Sequence, residues 1–194
     1  MRNLWMAAGL LLGTVAFTSC DSGTKETDSN TTVDTAASDT PVADVSLTDE
    51  KREFMAYAYN ISNQQVELGK LAVEKGLSPQ VKEYGQRMID LYGKKLEELG
   101  EMSGQYQVTL PETMTEDQAG RVQELRETET GKFDRAYWDN VIDAHKDAAD
   151  EFDDNVKDVA ETDNTAFNFW ARNTAKEIRA HMEQAMRFRL DLKN

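Results

Sequence analysis

The sequence predicts an all-α protein, an antiparallel four-helix bundle with one long crossover between its second and third helices. Three observations carry this. Four long runs repeat apolar side chains at the period of a helix rather than a strand. Only three prolines interrupt 194 residues. Two of the breaks between runs are short and the middle one is long, which makes two hairpins of neighbouring helices and one crossover.

The N-terminal segment stands apart from the runs. "MRN" is a short positive start, and "LWMAAGLLLGTVAF" is an apolar stretch too short for a comfortable membrane span and suited to a signal-peptide core. Phe17-Thr18-Ser19-Cys20 then resembles a bacterial lipobox. Residues 1–19 are therefore expected to be a lipoprotein signal peptide and Cys20 the lipidated residue. Cys20 is the chain's one cysteine, so no internal disulfide or multi-thiolate metal site can form. Cleavage before Cys20 would remove Arg2 and no acid, moving the formal charge from −14 to −15. Acyl chains on Cys20 make the membrane a partner, at about 0.8 kcal/mol per buried methylene. The expected location is the cell envelope, with the outer membrane preferred, facing the periplasm or the surface. Residues 20–46 are rich in Ser, Thr, Asp and Ala and contain no aromatic side chain. Such a segment cannot bury enough apolar surface to offset its chain entropy and reads as a flexible tether.

The bundle is expected over residues 47–194. Thr48 is an N-cap, followed by Asp49 and Glu50 where a helix favours acids. The first helix runs to about Lys75 with Tyr57, Ile61, Gln64, Leu68 and Leu71 on one stripe, and Gly76 ends it. Ser78-Pro79 starts the second, a cap followed by proline at the first helical position. Its inward residues are Val81, Tyr84, Met88, Tyr92 and Leu99, and it is expected to stop near Gly100. The crossover "SGQYQVTLPETM" reads as loop, and Thr115 with Gln118 as a capping box opening a short helix through Val122 and Leu125. The third long helix spans about Phe133 to Val159, with Trp138, Val141, His145, Ala149 and Phe152 in register. After "AETDN" the fourth runs from about Thr165 to Leu192, with Phe167, Ala171, Thr174, Ile178, His181, Ala185 and Phe188 in register. Gly69, Gly85 and Ala72 read as small packing positions. Two antiparallel hairpins joined by one long crossover is the connectivity of ferritin-like bundles.

"VELGKLAVEKGLSPQVKEYGQRMI", "KFDRAYWDNVIDAH" and "IRAHMEQAM" resemble an exported bacterial family of ferritin-like domains of unknown function, whose members are often labelled outer membrane proteins. The resemblance covers about Phe54 to Phe188. It implies a four-helix bundle with metal ligands in its core, and it implies no established activity. The alternating strands of an outer-membrane barrel are absent from the pattern. The family's Asp-His after "QRM" and two further residues is replaced here by Leu91-Tyr92, so one implied ligand is missing.

Two histidines carry the chemistry. The midpoint of positions 145 and 181 is 163, inside the turn between the last two long helices, so His145 and His181 should lie level on facing core sides. Glu67 is expected at the core edge of the first helix, and Glu177 one turn before His181 on the same side. Two imidazoles and one or two carboxylates are the donor set of a transition-metal site, so Glu67, His145, Glu177 and His181 are the candidate ligands. Di-iron bundles use two Glu-x-x-His motifs, whereas Ile142 and Ile178 stand three before these histidines. The competing reading is a buried structural histidine, hydrogen-bonded to Glu67, Tyr92 or the other ring.

A net charge of −14 excludes nucleic-acid binding through phosphate neutralisation. Glycine-rich phosphate loops and nucleophile elbows are absent from the sequence. Two functions remain. The first is a non-enzymatic envelope lipoprotein with a structural, stress-related or protein-partner role. The second is a ferritin-like protein that sequesters or oxidises iron or a similar ion.

Overall fold

The computed structural model describes residues 47–160 and 165–192. The expected signal peptide, Cys20, the tether, and most of the "AETDN" turn lie outside those residues. Five α-helices and a 3₁₀ turn follow in order: α1 (Asp49–Lys75), α2 (Pro79–Tyr106), α3 (Glu116–Glu127), the 3₁₀ turn Thr130–Lys132, α4 (Phe133–Val156) and α5 (Ala166–Asp191). No strand occurs among the described residues.

The caps explain most of the boundaries. Thr48 accepts from the Lys51 amide, and Ser78 accepts from Val81 one residue before Pro79. Thr115 and Gln118 form the reciprocal capping box, with each side chain bonded to the other's backbone amide. The end of α2 differs from the expectation. The helix passes Gly100 and runs to Tyr106, because Met102 and Tyr106 continue its buried stripe. It stops at Gln107, which takes the left-handed conformation at φ 53° and ψ 46°. The short helix expected after Thr115 is α3, the fifth helix among the described residues. The crossover helix α3 packs on α1 and α4 and puts Val122 and Leu125 into the core.

α1 packs along α2, and α4 along α5. Contacts between helices fix the directions. Tyr84 meets the backbone of His181, and Lys95 meets Glu177, so α2 and α5 run antiparallel. Tyr84 packs on Trp138 and Tyr92 on His145, so α2 and α4 run parallel. The α1–α2 turn is pinned to the start of α4: the Asp134 carboxylate accepts from the amides of Leu77 and Ser78, both at 2.8 Å. Within the first hairpin the backbones approach closely. A Cβ on Gly69 would sit 2.7 Å from the Gly85 carbonyl oxygen, and one on Gly85 would sit 2.6 Å from the Ala72 Cβ.

The core is two apolar clusters arranged along the bundle. One gathers Leu68, Tyr84, Met88, Tyr92, Trp138, Val141 and Ala185. The other gathers Phe54, Ile61, Leu99, Ala148, Phe152, Phe167 and Ile178. Each long helix passes through both clusters, and between them each carries polar side chains: Gln64 and Gln65 on α1, Lys95 on α2, His145 on α4, His181 on α5.

Candidate functional site in the polar layer

Each polar side chain sits where its helix leaves one cluster and enters the other. His145 lies between Val141 and Ala148, and His181 between Ile178 and Ala185. Their rings face each other with centroids 6.3 Å apart and planes at 58°.

His145 is fully buried. Its Nδ1 is 2.8 Å from the Val141 carbonyl, which can only accept, so Nδ1 carries the proton. Nε2 is then the bare nitrogen, and the Tyr92 hydroxyl donates to it at 3.1 Å. Burial pushes the imidazole pKa down to about 4. The Val141 hydrogen bond opposes that shift, and the neighbouring His181 adds to it. Burial raises the Tyr92 phenol well above its ordinary range, with Tyr84 and Glu177 adding to the effect. Both groups are neutral at pH 7, and both of His145's ring nitrogens are used.

His181 is half-buried, and burial lowers its pKa too; Glu177 opposes this, while Arg87 and Lys95 reinforce it. Its Nδ1 is buried with no hydrogen-bond partner among the described residues.

The two carboxylates are engaged elsewhere. Glu67 pairs with Lys70 at 2.7 Å on a partly exposed face of α1. Glu177 accepts from Lys95 Nζ at 2.6 Å. That lysine had no part in the sequence expectation. Its side chain is only 7% exposed, it also donates to Thr174 Oγ1 at 3.1 Å, and it lies over the Trp170 ring. Trp170 in turn donates to Glu98 at 2.9 Å. The structure therefore brings the two histidines together and gives each carboxylate to a lysine. Among the described residues no three His, Cys, Asp or Glu side chains converge closely enough to hold a metal ion.

Residues 36–188 match the model of a family described as a domain of unknown function, DUF4142. The chain belongs to the DUF4142 family. The match spans most of the sequence and begins eleven residues before the expected start of the bundle. No curated protein and no solved structure matches the chain. In this DUF4142 domain, Tyr92 stands where the earlier resemblance implies a ligand, and its hydroxyl is the group that occupies His145 Nε2.

Chemically the arrangement holds protons still. A wholly buried neutral imidazole, locked between a phenol and a carbonyl, offers no base to a substrate. A buried ammonium paired to a carboxylate is stable only while both partners stay.

Proposed function

We propose that this DUF4142 chain is a cell-envelope lipoprotein whose helical bundle is non-enzymatic, serving as a structural or protein-interaction module. Lipid on Cys20 and the tether would hold it at the membrane. One observation carries the reading: the groups a core metal would need are already engaged, His145 Nε2 by Tyr92 and Glu177 by Lys95. The antiparallel hairpins, with α2 parallel to α4, support regarding the bundle as ferritin-like, with α3 inside its crossover. The "FTSC" stretch after the apolar run supports the lipid anchor.

A second reading has its own observation. The unpartnered Nδ1 of His181, one ring away from His145, favours a transition metal ion held by the two histidines with Glu177 or Glu67. That would require Tyr92 to release His145 and a lysine to release its carboxylate.

Two measurements test the proposal. Native protein purified without chelator should carry far less than one iron, zinc or manganese per chain. Stoichiometric metal that disappears in both His145→Ala and His181→Ala would overturn the non-metal reading in favour of ion storage or oxidation. Cys20→Ala should leave an unprocessed precursor that takes up no labelled fatty acid, and persisting label would remove the anchor from the account.

A further inference from the structure

A cleft of about 360 Å³ lies between α1, α3 and α4, beside the polar layer. Its volume is in the range of small-molecule sites. Ile61 and Ala144 give it apolar wall, and the Arg121–Asp147 ion pair, 2.7 Å long, ties α3 to α4 beside it. Asn60 and Gln64 also line it, one turn apart on α1. Both are more than nine-tenths buried, at 8% and 1% exposure. Asn60 Oδ1 and Gln64 Nε2 have no hydrogen-bond partner among the described residues. Buried polar atoms are nearly always paired, so this acceptor and this donor call either for each other along the helix or for a group entering the cleft.

We propose that the cleft binds a neutral small molecule through a secondary amide. An open acceptor calls for an N–H, and an open donor calls for a carbonyl. Residues four apart on a helix face hold their side chains about 5–6 Å apart at Cβ, close enough for both to reach one amide group. An amide carries both complements at once, and its flanking carbon would rest on Ile61 and Ala144. A free carboxylate or an ammonium would match only one of the two. Of the charged side chains lining the cleft, Arg121 and Asp147 neutralise each other and Asp117 is exposed to water at the rim, so an anion gains no attraction there and a cation only a screened one. Two sources share this chemistry, an N-acetylated amino sugar and an acylated peptide unit. The inference is independent of the metal question, since neither histidine lines the cleft.

The test follows the side-chain amide resonances of Asn60 and Gln64 during titration of the purified protein. The probes are N-acetylglucosamine, N-acetylalanine methylamide, and glucose as the control without an amide. Saturable shifts are expected with at least one amide probe and not with glucose; which probe binds assigns the source. Gln64→Leu fills similar volume without the polar atoms. It should keep the fold and weaken binding at least about tenfold, the factor for one lost hydrogen bond. Asn60→Leu provides the same test should Gln64→Leu fail to fold. Absence of saturable shifts with both amide probes into the tens of millimolar would overturn the proposal, leaving bound water as the partner. Equal binding of glucose, or undiminished binding by the leucine variant, would overturn it as well.

Discussion

Removing the two halves of the Lys95–Glu177 pair should have unequal costs. Lys95's side chain is 7% exposed and Glu177's is 47% exposed. Glu177→Ala strands an ammonium in the core with one hydroxyl and an indole face for company. Breaking a buried pair in this way costs about 3–5 kcal/mol when both partners are fully enclosed. Glu177 keeps nearly half of its surface in water, which weakens the attraction being lost, so about 2–3 kcal/mol is expected. Lys95→Met does the opposite. The thioether keeps the packing of the lysine stem, and the freed carboxylate turns to water, so stability should stay within about 1 kcal/mol of wild type. Urea unfolding followed by circular dichroism measures both, provided the slopes match. Equal costs, or a dearer Lys95→Met, would refute the placement of the burial on the lysine.

The remaining predictions concern pH and helix packing. His145's folded pKa of about 4 lies below its ordinary 6.5, so as pH falls the unfolded chain takes the proton first. Its contribution is complete above about pH 6.5 and is lost on descending towards 4, by up to about 3 kcal/mol at about 1.4 kcal/mol per unit. The downward shift of His181 acts in the same direction. Denaturation midpoints between those pH values should fall, and His145→Gln should flatten the slope; an unchanged slope would contradict it. Gly85→Ala should destabilise, because its Cβ would strike Ala72 and the Gly69 carbonyl, and no rotamer change relieves such contacts. Overpacking of about 1–3 kcal/mol there outweighs the gain of about 1 kcal/mol for alanine in a helix. Gly93→Ala, with nothing within 4 Å of its Cβ, should instead stabilise by about 0.5–1 kcal/mol in the same melts.

Much of this was legible in the chain. The cap pairs Ser78-Pro79 and Thr115/Gln118 mark helix starts because they satisfy specific orphan amides, a local requirement that sequence states directly. The facing of His145 and His181 follows from equal distance to a turn. The misses share a cause. Gly100, Ser103 and Gly104 read as breakers, yet Met102 and Tyr106 bury, and tertiary packing overrides weak local propensity. Lys95, beside Lys94, had no part in the expected core. Its signal was positional: Tyr92, Lys95, Leu99 and Met102 form one stripe, with a cation where an apolar residue belongs. Glu177's direction depended on that lysine, so the carboxylate appeared free for His181. The run Asn60 to Gln65 held a similar clue, four buried polar residues inside one helix.

His145 is a neutral imidazole with both ring nitrogens engaged, by Tyr92 and Val141. Long-range ¹H–¹⁵N spectra of its ring read this directly. A protonated Nδ1 and a bare, hydrogen-bonded Nε2 are expected, unchanged from pH 7 to about 5 and unmoved by equimolar zinc or manganese. The opposite tautomer, or an Nε2 resonance that shifts or broadens on adding one equivalent of metal, would contradict it.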